Sequence, residues 1–144
     1  MIYIDTSCLL KILRTESSSA DVRAAIAREP EVLVSALVEL ETLVQLKASW
    51  TGGSFTKSQW RKLEMELTLL RNQPPFEFRT IPSAVFQTAL RQHRNSGDLH
   101  CRSLDRFHLA AMEELNVSRL MTHDEKQAKT ALDMGFSIVR PGRD

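Results

Sequence analysis

The sequence predicts a layered α/β fold built on parallel strands, in a single domain of 144 residues. Short apolar runs alternate with longer segments of helical period, the pattern of parallel strands joined by right-handed helical crossovers. The composition, 42% hydrophobic and 26% charged with five glycines and five prolines, is that of a globular domain with its own core. No repeat, low-complexity tract or linker divides residues 1–144.

The elements follow in order. Ile2 to Ile4 is a first strand, followed by a short helix from Cys8 to Leu13 and a second from Ser19 to Arg28. Val32 to Ser35 is a second strand, and a helix from Ala36 to Trp50 ends where Gly52 and Gly53 break the pattern. The next helix runs from Thr56 to Arg71, closed by Gln73 to Pro75, and the weaker run Phe78 to Ile81 is a third strand. Helices at Ser83 to His93 and Ser103 to Leu115 lead to a fourth strand, Arg119 to Thr122. A helix from Glu125 to Met134 and a strand from Ser137 to Val139 complete the chain.

Charge excludes a bulk electrostatic partner. Lys and Arg number 19 against 18 Asp and Glu, a formal +1, so nucleic acid would have to be held by local patches. Candidates are Arg14, Lys57 with Arg61 and Lys62, Arg91 with Arg94, Arg102 with Arg106, and Arg140 with Arg143. Cys8 and Cys101 form no CxxC pair and are expected as reduced, buried small residues. No basic leader precedes Asp5 and no segment approaches the roughly 18 apolar residues of a membrane span, so a soluble, cytoplasmic protein is expected.

Four acids are placed to act together. Asp5 follows the first strand and Asp124 follows the fourth, and ligands of open α/β sheets bind outside the carboxyl ends of the strands. Both acids are also good helix caps: Asp5 for the Cys8 helix, while Thr122 with Glu125 fits a capping box. If Asp5 binds a metal, Thr6 or Ser7 is left as the cap. At about 100° per residue, Glu41 falls among Leu37, Leu40, Val44 and Ala48, on an apolar stripe, and Glu39 projects from nearly the opposite side. A carboxylate facing a core is costly unless compensated, and Lys47, the one basic residue of that helix, lies roughly 120° away. Asp105 shares a stripe with His108, Leu109 and Met112, which Arg106, Glu113 and Glu114 flank or oppose. The helix macrodipole alone would favour an acid there. His108 is expected to play a supporting part, and Asp98 to be a surface loop acid. Carboxylates gathered in one crevice repel unless cations join them, and oxygen ligands without a Cys or His cluster select Mg²⁺ or Mn²⁺. The chemistry that follows is phosphodiester cleavage, with one ion or two. Thr6 and Thr122 are then candidates to hold a water or a phosphate oxygen, or are ordinary turn hydroxyls.

IYIDTSCLLKIL at the start, VSALVELETLV after the second strand, SLDRFHLAAM in the second half and RLMTHDEKQAKTALDMGFSIVRPG at the end resemble PIN domains. They resemble most the VapC-type toxins of prokaryotic toxin and antitoxin pairs. The blocks come in the family's order, and between them Thr51 to Arg102 matches only in helical character. The resemblance implies an α/β/α sandwich with a central, mainly parallel sheet. It implies a Mg²⁺- or Mn²⁺-dependent endoribonuclease whose acids map onto Asp5, Glu41, Asp105 and Asp124, with Thr122 as polar companion. It also implies a homodimer and a small cognate antitoxin that inserts a peptide at the active site. Trp50, Phe55 and Trp60 are available to an apolar antitoxin patch or to the core. Two alternatives stand beside the toxin: an RNA-processing nuclease outside a toxin pair, and a binding module that has lost catalysis. A haloacid-dehalogenase-like phosphotransferase would need an acid two residues after Asp5, where Ser7 stands.

Overall fold

A computed structural model describes residues 1–143 of the chain. Five strands form one sheet in the order β3-β2-β1-β4-β5, all neighbours parallel: β1 (Ile2–Ile4), β2 (Val32–Ser35), β3 (Phe76–Arg79), β4 (Arg119–Met121) and β5 (Ser137–Val139). Between them run α1 (Thr6–Leu13), α2 (Ser19–Ile26), α3 (Ala36–Thr51), α4 (Lys57–Leu70), α5 (Val85–Asn95), α6 (Ser103–Glu114) and α7 (Glu125–Asp133). The predicted alternation is therefore the observed one.

Strand composition follows from position in the sheet. Ile2, Tyr3 and Ile4 in β1, and Val32 to Val34 in β2, are fully buried, which explains why both read as unbroken apolar runs. At the edge, β3 alternates: Phe76 and Phe78 pack on the core while Glu77 and Arg79 face water. Here the expected strand, Phe78 to Ile81, is corrected to Phe76–Arg79. Pairing starts directly behind the prolines, with Val32 N–H donating to the Pro75 carbonyl at 2.8 Å and Phe76 aligned with Val32.

Helix ends differ from expectation mainly where a side chain acts as a cap. Asp5 accepts a bond from Cys8 N at 3.1 Å, so α1 begins at Thr6 rather than Cys8. Ser35 caps α3, and Thr56 with Gln59 forms a reciprocal capping box on α4. The expected capping box of Thr122 with Glu125 is not formed: Asp124 is the cap of α7, accepting from Gln127 N at 3.0 Å. Gly135, at φ +85°, closes α7 in the left-handed region where a side chain would be strained.

The strand order places one topological switch point. β1 lies between β2 and β4, so the chain leaves the carboxyl end of β1 toward one side of the sheet and the carboxyl end of β4 toward the other. Asp5 and Thr122 stand at those two ends, and Asp5 N–H donates to the Met121 carbonyl at 3.1 Å.

Candidate active site

A crevice of about 510 Å³ opens at the switch point, and Asp5, Glu41, Asp105 and Asp124 all line it. Thr6, Ser7, His108, Arg102 and Gln127 share the lining. Each acid comes from a different element: Asp5 from the end of β1, Glu41 from α3, Asp105 from the first turn of α6 and Asp124 from the cap of α7.

Asp5 is 4% exposed and nearly saturated with donors. Its Oδ1 accepts from the Ser7 hydroxyl at 2.6 Å and from Cys8 N at 3.1 Å, and its Oδ2 accepts from the Thr122 hydroxyl. Burial nonetheless dominates, holding the Asp5 carboxyl above the usual aspartate range against those bonds. Thr122, itself buried, ties two acids together, because its Oγ1 also accepts from Asp124 N at 2.9 Å. Thr122 stands one residue beyond β4, where the expected strand included it.

Glu41 reaches the crevice by a different route from the one its helix pattern suggested. The stripe of Leu37, Leu40, Val44 and Ala48 is not the core face of α3: Leu40 and Val44 are each 58% exposed, and Val38, Thr42 and Leu46 are buried. Apolar residues surround most of this helix, so its pattern leaves the phase ambiguous. Glu41 lies about 100° from Thr42, at the edge of the buried face, where it meets two donors. Thr6 Oγ1 donates to Glu41 Oε2 at 2.6 Å, and His108 Nε2 lies 2.9 Å from the same oxygen. Burial pushes the Glu41 carboxyl up, but the bonds from His108 and Thr6 outweigh it and leave the group below its usual range. Glu39 points elsewhere, bound to Arg71 of α4's C-terminal cap at 2.5 and 2.6 Å.

His108 connects this carboxylate to the interior. Its Nδ1 lies 2.8 Å from the Tyr3 hydroxyl, which in turn lies 2.6 Å from Ser35 Oγ. Glu41, ionised, only accepts, so Nε2 carries the proton that faces it. In a neutral ring Nδ1 then accepts from Tyr3, whose phenol burial holds above its ordinary range and thus protonated. Ser35 Oγ, accepting from Val38 N at 3.3 Å, supplies the hydrogen to the Tyr3 oxygen. With that ring neutral, donation runs one way, from Ser35 at the start of α3 through Tyr3 and His108 to Glu41.

Asp105 and Asp124 have a cation instead. Arg102 Nε donates to Asp105 Oδ2 at 2.8 Å, and Arg102 Nη2 stands 3.6 Å from Asp124 Oδ2. The expected stripe of α6 holds, with His108, Leu109 and Met112 buried beside a mostly covered Asp105. Its flank does not: Arg106 is 5% exposed, with Nη1 donating to the Met134 sulfur at 3.1 Å and Nε and Nη2 without partners. Arg106 is therefore no surface cation for RNA, a correction to its expected role.

The donor set, four carboxylates with hydroxyls around them, suits a hard divalent ion. Among the described residues no group of three or more His, Cys, Asp or Glu side chains stands close enough to hold one ion together. Asp5 and Glu41 are held by hydroxyls, a backbone N–H and the His108 ring, and Arg102 spans the other pair.

The remaining expected residues fall outside. Asp98 is an exposed loop acid. Of the candidate RNA cations only Arg102 lines the crevice; Arg91 pairs with Glu113, and Arg140 and Arg143 with Glu125. Trp50 and Trp60 stack on one another at 4.3 Å, and Phe55 and Trp60 pack on the core. Cys8 is buried as expected, whereas Cys101 is only partly covered. Ser7 and Tyr3 were missed as site-supporting residues. The hydroxyl two positions after Asp5 was the available signal for Ser7; a tyrosine in an otherwise aliphatic buried strand, needing a partner for its hydroxyl, was the signal for Tyr3.

The family model for the PIN domain matches residues 2–132. Solved structures share the fold at low identity. VapC20 of Mycobacterium tuberculosis, described as a sarcin-ricin loop cleaving toxin, superposes with a TM-score of 0.72 at 15% identity, covering 98% of this chain and 100% of that one. FitAcB from Neisseria gonorrhoeae gives 0.72 at 16%, covering 100% of both chains. A toxin-antitoxin complex from Klebsiella pneumoniae gives 0.67 at 15%, covering 98% of each. No curated protein sequence matches.

Proposed function

The chain belongs to the PIN domain family, and from that premise we propose that it is a Mg²⁺- or Mn²⁺-dependent endoribonuclease, the toxin of a type II toxin-antitoxin pair. The observation that carries this reading is the convergence of Asp5, Glu41, Asp105 and Asp124 on one crevice at the switch point of the sheet. The same fold is found in a toxin described as cleaving the sarcin-ricin loop and in toxin-antitoxin complexes, which supports structured RNA as substrate and a small antitoxin as partner. A cytoplasmic homodimer is part of the proposal, and no helix of the described residues is long and apolar enough to cross a membrane.

In this reading the four acids would hold the ion. When bound, such an ion offsets charge that builds on the scissile phosphate and makes water a stronger nucleophile. The chain's own groups do the rest. Thr122 and Ser7 fix the Asp5 carboxylate in one rotamer, and His108 and Thr6 fix Glu41, so both present oriented oxygens without reorganising during the reaction. Those bonds keep Glu41 ionised as a site for positive charge.

Purified protein incubated with a structured RNA tests the proposal. Cleavage in Mn²⁺ that EDTA abolishes is expected; no cleavage with any divalent ion, or cleavage indifferent to EDTA, contradicts it. Copurification with the product of a short adjacent gene distinguishes a toxin from an RNA-processing nuclease.

A further inference from the structure

We infer that Arg102 is a built-in counter-cation of the crevice, which a divalent ion must displace from Asp105 and Asp124 before it can bind. This rests on the reading of the crevice as a divalent-ion site. Four carboxylates line the crevice and Arg102 is its one Lys or Arg. Asp5 and Glu41 are compensated by hydroxyls, a backbone N–H and an imidazole, whereas Asp105 receives a charged partner, at 2.8 Å. The same guanidinium reaches Asp124 at 3.6 Å.

The side chain is built to leave. Arg102 is the N-terminal flanking residue of α6, its carbonyl accepting from Arg106 N at 2.9 Å, so the backbone is anchored at the helix start. Its guanidinium end is open, with the side chain 64% exposed against 14% for Asp105 and 31% for Asp124. Asp124 has a second donor, Gln127 N at 3.0 Å, and Asp105 is covered in the first turn of α6, whereas the arginine end stands in solvent. An exposed ion pair is weak and screened, so a doubly charged ion that reaches both carboxylates outcompetes it.

Isothermal titration of Mn²⁺ into the full chain without RNA tests this, comparing wild type, Arg102→Gln and Arg102→Lys. Removal of the competitor is expected to tighten Mn²⁺ binding about threefold or more in Arg102→Gln, with Arg102→Lys closer to wild type. The Nε–H signal of Arg102, identified by its loss in Arg102→Gln, is expected to shift when Mg²⁺ is added. Equal or weaker binding in a folded Arg102→Gln overturns the counter-cation and leaves the metal site standing. Failure of both proteins to bind any Mn²⁺ overturns the metal site, and the inference with it.

Discussion

Glu41 Oε2 lies 2.9 Å from His108 Nε2, and the other nitrogen of the same ring lies 2.8 Å from the hydroxyl of Tyr3, a fully buried residue of the central strand. A candidate metal-holding carboxylate on the rim of the sheet is thereby oriented by a chain of bonds that begins inside it. Removing the middle of that chain should be felt at both ends. Tyr3→Phe leaves His108 Nδ1 and Ser35 Oγ each short of a partner in a buried setting, and should lower unfolding stability by about 1–3 kcal/mol in urea titrations. An unchanged midpoint would mean the hydroxyl contributes nothing.

Asp5 has the opposite electrostatic balance from Glu41. Burial raises its folded carboxyl above the ordinary value of 3.8, so the folded chain binds a proton more tightly than the unfolded one at this position. Stability from that proton is full below the ordinary value and is lost as pH rises through the raised folded one. Asp5→Asn without divalent ions should therefore gain in Tm over wild type as pH increases above 3.8, and added Mg²⁺ should stabilise only wild type. A difference in Tm that does not change with pH would contradict the assignment.

Arg106 should be replaceable with profit. Its guanidinium is buried with Nε and Nη2 unpartnered, and no carboxylate pairs with it among the described residues. Arg106→Met removes a desolvated charge and keeps the length of the side chain, and should raise stability by about 1 kcal/mol or more. Loss of stability would indicate a partner for the guanidinium that the described contacts do not include.

Glu39 and Glu41, two residues apart, should separate in function. Glu39 is engaged with Arg71 on the far side of α3, so Glu39→Gln should change RNA cleavage by less than about twofold, the effect of an exposed pair. A loss like that of Glu41→Gln would place the wrong glutamate in the crevice.

How much of this was legible in the sequence depended on how uniquely a residue's neighbours constrained it. The β1 and β2 strands were readable because unbroken apolar triplets need burial on both faces, and Asp5 and Asp124 because a strand end followed by an acid and a helix admits few geometries. The phase of α3 was not readable. Leucine and valine cover so much of its circumference that Leu40 and Val44 were assigned inward when the sheet takes Val38, Thr42 and Leu46. Glu41 does line the crevice, but the apolar stripe that was to point it inward is not the buried face of α3. Arg106 ran the other way: an arginine flanking an apolar stripe reads as solvated, and only the packing of α6 near Met134 buries it. The Tyr3–His108 link spans more than a hundred positions, and nothing local in either segment announces it.

The central claim is that the four acids act as one metal-dependent site, and Mn²⁺-dependent cleavage of a structured RNA by wild type beside Asp5→Asn and Glu41→Gln tests it most directly. Both variants should remain folded by circular dichroism and lose activity by about a hundredfold or more, the scale on which removing a positioned electrostatic group acts. Wild-type cleavage by either folded variant would contradict the account.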